Sequence, residues 1–278
     1  SLSFSNSRSN SRWRLVSTAL FAFMPTYLFL CSYVTNDIAA TVFATLAIWQ
    51  TLRLLRLGAS PRRLIVVGLL VALGALSKIN ALLIAPGVGL ALLLLWRRQR
   101  TPLRRIIGDT LLLGLPIAAF FGAWMAYGTI NYGDPLGVNT HQLPDKGITF
   151  FYQSPRTLLE LLPQALPMFR SYWGLFNLVT LHSLTYAALY ALAALALLGW
   201  LRWLLRRAPL RFWMNPGAQQ AAVLGLVLLV ELAGLVRWMQ QLDFTGARLM
   251  YPAHVVVVLG LAAGLRYLTR QRGRRMVQ

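Results

Sequence analysis

Long apolar runs alternate with short polar breaks along almost the whole chain. A helix needs roughly 20 apolar residues to cross the ~30 Å hydrocarbon core of a bilayer. By that measure the pattern predicts eight membrane helices, over about 15–34, 38–55, 64–77, 80–96, 107–127, 183–204, 218–238 and 249–268. The third and fourth are short, and 64–96 also reads as one continuous helix. Such a helix would be roughly 50 Å long. It would bury Lys78 and Asn80 at its centre, where a lysine costs at least ~2.5 kcal/mol. A tight hairpin with Lys78 at its tip costs less. The expected fold is therefore all-α: a polytopic transmembrane helix bundle, one membrane domain over 1–278 with no domain-sized soluble insert.

One polar interruption is sizeable, about 128–182. It opens with NYGDPLGVNTHQLPDKG, whose Gly, Asp and Pro residues stop helices. Beyond it Leu158, Leu161, Leu162, Ala165, Met168 and Phe169 recur at roughly helical spacing. Pro163 and Pro167 should break that helix into short pieces. The segment reads as an extracytoplasmic loop with an interfacial amphipathic helix, or as a structural lid.

Charge gives the bundle a direction. The chain of 278 residues has 27 Lys and Arg against 7 Asp and Glu, a net charge of +20. Only 12% of its residues are charged, half the roughly 25% of a soluble domain, and its mean hydropathy is +0.58. A nucleic-acid binder needs a basic face on a folded soluble domain. Here the basic residues sit in clusters between apolar runs, so the partner is a lipid bilayer and no nucleic acid is expected. Clusters within 8–14, 53–63, 97–105, 202–211 and 266–275 hold 21 of the 27 basic residues, all on one set of helix ends. Positive residues collect on cytoplasmic ends, so both termini are expected in the cytoplasm of a bacterial inner or plasma membrane. Asp109 is the one acid near that side. The opposite face carries few, balanced charges and is where chemistry is expected. The lone Cys31 excludes an internal disulfide. The opening SLSFSNSRSNSRWR lacks the order of a signal peptide and reads as a cytoplasmic loop, so an N-terminal truncation with further helices upstream is expected.

Several residues on the outer side can carry chemistry. Asp37, in SYVTNDIAAT, can hold a metal or orient a hydroxyl; alternatively Thr35, Asn36 or Asp37 caps the next helix. Lys78, in GALSKINALL, suits a lipid phosphate, or simply snorkels. Glu231 lies inside a span, where ionisable residues are functional candidates, or it pairs with Lys78 or Arg248. Arg248 can clamp a phosphate bidentately, or pair with Asp243; Tyr251 follows it. His141, His182 and His254 are all expected outside, without metal-ligand spacing. Trp173 can stack on a sugar or anchor at the interface. No phosphate-binding glycine loop, dinucleotide fingerprint, nucleophile elbow or CxxC occurs.

Taken in order, PTYLFLCSYVTNDIAATVFATLAIW, GLLVALGALSKINALLIAPGVGL, NYGDPLG, FRSYWGLFN and GARLMYPAHVVVVLGLAAGL resemble the GT-C superfamily of polytopic glycosyltransferases, which includes protein O-mannosyltransferases and aminoarabinose transferases. The resemblance covers nearly the whole chain. It implies a polyprenyl-phosphate sugar donor and transfer to an extracytoplasmic acceptor. It implies that Asp37 is the second acid of the site, that Lys78, Arg248 and Tyr251 face the donor phosphate, and that Asn36, Asp134, His141 and Trp173 line the substrate. No cofactor is fixed; a divalent metal is compatible. Two departures stand out. The family's catalytic acid follows the first span, in a loop not found here, so this stretch alone is expected to be inactive. Leu249 also replaces the usual Tyr after Arg248. A lipid or oligosaccharide transporter and a non-catalytic membrane subunit are the alternatives.

Overall fold

The computed structural model describes residues 7–32, 35–136, 142–143, 148–149, 155–176, 179–206, 215–241 and 246–269. It is an all-α bundle with two minimal antiparallel pairings, β1 (Gln142–Leu143) with β2 (Ile148–Thr149) and β3 (Leu175–Phe176) with β4 (Val179–Thr180).

The first expected span is broken. Helix α1 (Ser7–Ala22) gives way to α2 (Pro25–Cys31), and the two are bent by 57°. Met24, between them, is extended (φ −65°, ψ 124°), because the ring of a following proline clashes with an α-helical predecessor. Helix α3 (Asn36–Leu57) ends at Gly58, with φ +87°. Helix α4 (Pro61–Ser77) starts with Ser60, whose hydroxyl accepts from the Arg63 amide (3.4 Å), and with Pro61 in its first turn, where no amide hydrogen is needed. Lys78 is extended (φ −161°, ψ 129°) and ends α4. A 3-10 stretch, Ile79–Ile84, then leads into α5 (Ala85–Gln99).

The directions follow from contacts at the ends. The Arg98 guanidinium donates to the Leu55 carbonyl (2.7 Å), so α5 ends beside the end of α3. The Lys78 ammonium meets the Asp37 carboxylate, so α4 ends beside the start of α3. α3 and α5 thus run one way and α4 the other, which is the expected hairpin with Lys78 at its tip. The single-helix reading is excluded.

Helix α6 (Leu103–Ile117) contains Pro116 and passes through a π-helical turn, Ala118–Gly122, into α7 (Ala123–Tyr132). A proline removes one ladder donor and pushes back the carbonyl before it, and a π-turn is one way to absorb that. After α8 (Leu158–Leu161) and α9 (Ala165–Gly174) come α10 (Ser183–Arg206), α11 (Pro216–Gln241), a 3-10 stretch Ala247–Ala253 and α12 (His254–Thr269). Gly234 abuts Leu83 and Gly87 abuts Val227, so α11 runs against α5.

Six segments are long and apolar enough to cross a membrane: Asn36–Leu57, Ile79–Gln99, Leu103–Tyr132, Ser183–Leu205, Pro216–Gln241 and Ala247–Thr269. The bent pair α1–α2 makes seven if it is one span. The sequence pattern predicts eight. The difference is α4, whose 17 residues reach only about 25 Å. It is apolar, lies antiparallel between α3 and α5 and is buried among its neighbours, so it differs from the other segments only in length.

The amphipathic segment also departs from expectation. Pro163 does break it, into α8, a 3-10 turn and α9. Pro167 does not, because it lies in the first turn of α9, where its missing amide has no intrahelical partner to lose. Thr157 and Glu160 form a capping box on α8. The Thr157 amide, then its hydroxyl, hold the Glu160 carboxyl below the usual carboxylate range. Of the expected apolar face, Leu161 is buried while Leu158 and Leu162 are exposed.

Two apolar cores result. One joins α3, α4, α5 and α11, with Leu54, Leu64, Val67, Leu95 and Val227 buried. The other lies at the end away from the arginine clusters and joins Met24, Leu30, Tyr172, Trp173, Leu235 and Tyr251. Both are supplemented by close backbone approach: a Cβ on Gly68 would stand 2.1 Å from the Leu113 carbonyl oxygen. Small residues let membrane helices meet this closely.

Candidate functional site

Asp37 lies in the first turn of α3, where a carboxylate is favoured by the helix dipole. It does not act as the cap. The N-cap is Thr35, which makes no side-chain cap bond. The Asp37 side chain is 5% exposed and pairs with the Lys78 ammonium, itself 19% exposed. The pair joins the start of α3 to the tip of the α4–α5 hairpin. Lys78 is therefore neither snorkelling alone nor paired with Glu231.

Asn80 ties this tip to a third element. Its side-chain amide donates to the Leu249 carbonyl (2.7 Å), and its own carbonyl oxygen is buried without a partner. Leu249 lies between Arg248 and Tyr251. The geometry thus brings Asp37, Lys78, Asn80 and the stretch containing Arg248 and Tyr251 to one end of the bundle. The Arg248 side chain is exposed. Tyr251 is fully buried, donating to the Tyr172 carbonyl (3.1 Å), with Asp37 within electrostatic reach.

Tyr251 belongs to an aromatic cluster that the sequence pattern does not single out. Tyr27 stacks on Tyr251 and on His254, and Tyr172 stacks on Tyr251. His254, expected on the outer side, is fully buried beside these rings. Its Nδ1 lies 2.9 Å from the Tyr172 hydroxyl, and its Nε2 3.2 Å from the Phe21 carbonyl oxygen. Burial pushes the Tyr172 phenol well above its ordinary range, with Tyr251 adding to the effect. Ser171 joins the same assembly by accepting from the Ala247 amide (2.9 Å).

The other candidates are dispersed. Asn36 is exposed beside Asp37. Asp134 is buried at the end of α7 and accepts from the Leu136 amide (3.2 Å). Trp173 is buried against Phe169 and Tyr172, with its indole N–H unpartnered, and lines an apolar groove of about 340 Å³ with Phe23, Met24, Pro25 and Leu189. His182 is exposed and accepts from the Leu184 amide (3.3 Å). His141 and Asp243 lie outside the described residues. Among the described residues no three His, Cys, Asp or Glu side chains converge where a metal ion could sit.

The pair lies among apolar helices at the end of the bundle remote from the arginine clusters. Residues 7–124 match the family model for dolichyl-phosphate-mannose-protein mannosyltransferase. That match supports a likeness to the GT-C membrane glycosyltransferases over this stretch. It bears out the resemblance for the first two of the ordered motifs, which lie within it. The matched stretch contains Asn36, Asp37 and Lys78, while Asp134, Trp173, Arg248 and Tyr251 lie beyond it. Comparison with curated proteins and with solved structures gave no match.

Glu231 stands apart from the pair. It is 1% exposed in α11, and neither carboxyl oxygen has a hydrogen-bond partner. A polar group buried without a partner costs roughly 1–3 kcal/mol by mutational measures. Glu231→Leu should therefore raise the thermal midpoint of the detergent-solubilised protein by roughly 2–12 °C. A lowered midpoint would show that the carboxyl has a stabilising role.

Proposed function

We propose that the protein is an integral membrane glycosyltransferase, transferring a sugar from a polyprenyl-phosphate donor to an acceptor on the extracytoplasmic face. The observation that carries this reading is the Asp37–Lys78 pair, buried at the end remote from the arginine clusters and inside the family-matched stretch.

In the reaction an acceptor oxygen attacks the anomeric carbon and the bond from that carbon to the phosphate oxygen breaks. The electron pair leaves with the polyprenyl phosphate, and the acceptor proton passes to a carboxylate. Lys78 faces the departing phosphate, and a fixed cation there stabilises the charge that develops. Asp37 holds the ammonium in place and orients the acceptor hydroxyl. The resemblance assigns the proton-accepting carboxylate to the loop that follows the family's first span. Arg248 provides a second cation, and Tyr251 and Asn80 fix the backbone that presents it.

The test is turnover by the protein expressed with any coding sequence upstream of Ser1 and reconstituted in lipid nanodiscs. Labelled polyprenyl-phosphate mannose should be converted to polyprenyl phosphate, with the label moving to an acceptor peptide or glycan. Movement of intact donor across vesicles without cleavage would replace this reading with a transporter. Neither cleavage nor movement would leave a non-catalytic subunit.

A further inference from the structure

We propose that the arginine-rich end of α3–α6 is a binding platform for the headgroups of anionic phospholipids. The fold brings two basic turns together there. The α3–α4 turn supplies Arg56 and Arg62, and the α5–α6 turn supplies Arg98, Arg100, Arg104 and Arg105, all exposed. The Arg98 bond to the Leu55 carbonyl fastens one turn to the other. Arg63 closes the first turn by donating to the Gly58 carbonyl (2.9 Å). Among the described residues the nearby acid is Asp109, which is buried and accepts from the Trp96 indole (2.9 Å), so it does not neutralise the surface.

Two features go beyond ordinary topological charge. Arg100 ends α5 in the left-handed region, at φ +49°. That conformation disfavours a residue with a Cβ and usually takes glycine, yet an arginine is held there. The cations are also flanked by exposed apolar side chains: Leu57, Leu93, Leu103 and Ile107 are 58%, 60%, 70% and 52% exposed. A soluble anion or an acidic protein would match only the charges. A phospholipid matches both, with its phosphate on the guanidinium groups and its acyl chain along the leucines. Arginine suits the phosphate because its fork donates two parallel hydrogen bonds.

The test counts lipids retained through detergent extraction by native mass spectrometry, after reconstitution in equal parts phosphatidylglycerol and phosphatidylcholine. The wild-type protein should retain phosphatidylglycerol preferentially. Juxtamembrane basic residues each contribute roughly fivefold to anionic-lipid binding. The double variant Arg104→Gln/Arg105→Gln should therefore lose that preference by about tenfold or more. The control Arg12→Gln/Arg14→Gln removes the same charge from exposed positions at the start of α1 and should keep the preference. Equal loss in both variants, or none in the first, overturns the platform. Thermal midpoints measured alongside show that each variant is folded.

Discussion

Replacing Lys78 by Met should reduce transferase turnover by about 10²–10³-fold, the usual effect of losing one group that stabilises developing charge in a transition state. Asp37→Asn should produce a loss of similar order, because the ammonium is then no longer held. Both single variants should also lose stability. Removing one partner of a buried pair costs about 3–5 kcal/mol. The 19% exposure of Lys78 lets water compensate in part, so about 2–3 kcal/mol is expected here. The double variant separates the two effects. With both charges gone, no uncompensated ion remains, so Asp37→Asn/Lys78→Met should return close to the wild-type midpoint while turnover stays low. A structural pair would behave differently: activity would follow stability and recover in the double variant. Normal turnover in either single variant would remove the pair from the site.

The second large effect is expected far from that pair. A Cβ on Gly199 would lie 1.9 Å from the Gly264 carbonyl oxygen, and one on Gly264 would lie 2.3 Å from that of Ala196. These distances leave no room for a side chain, and the obstacle is backbone, which cannot rotate aside. The crossing is also tied by the Trp200 indole, which donates to the Gly260 carbonyl (2.8 Å). Gly264→Leu should push α10 off α12. Overpacking costs roughly 1–3 kcal/mol, occasionally more, and most of α10's surface is not covered by other helices. The variant should become sensitive to proteolysis on either side of α10 before the α3–α5 core unfolds. Gly225→Leu serves as the control, since nothing lies within 4 Å of the Cβ it would add. Equal resistance in both variants would show that the crossing is not a constraint.

The bundle was largely legible because the bilayer imposes a simple rule: long apolar runs become helices, and arginine clusters mark their ends. The hairpin at Lys78 followed from the cost of burying that lysine. The sequence misled where a local effect competed with the run. Pro25 broke the first span by restricting Met24, and α4 proved too short to count by length. The site was half legible. Asp37 and Lys78 could each be picked out as odd charges, but 41 positions separate them, and no periodicity reveals that they meet. The burial of His254 was not legible for a related reason. A histidine two residues after a proline at the head of a span carries no local sign of being enclosed. Only the fold shows Tyr172 and Phe21, from distant segments, enclosing it.

The continuous α6–α7 segment has a further consequence. Its 30 residues measure about 45 Å, some 15 Å more than the hydrocarbon is thick. Such a rod must either lean by about 48° or stand proud of the lipid by roughly three helical turns. If it stands proud, Asp134 is carried above the lipid at the top of a fixed mast. If it leans, membrane thickness becomes a lever, because a thicker bilayer draws the rod upright and moves its tip sideways.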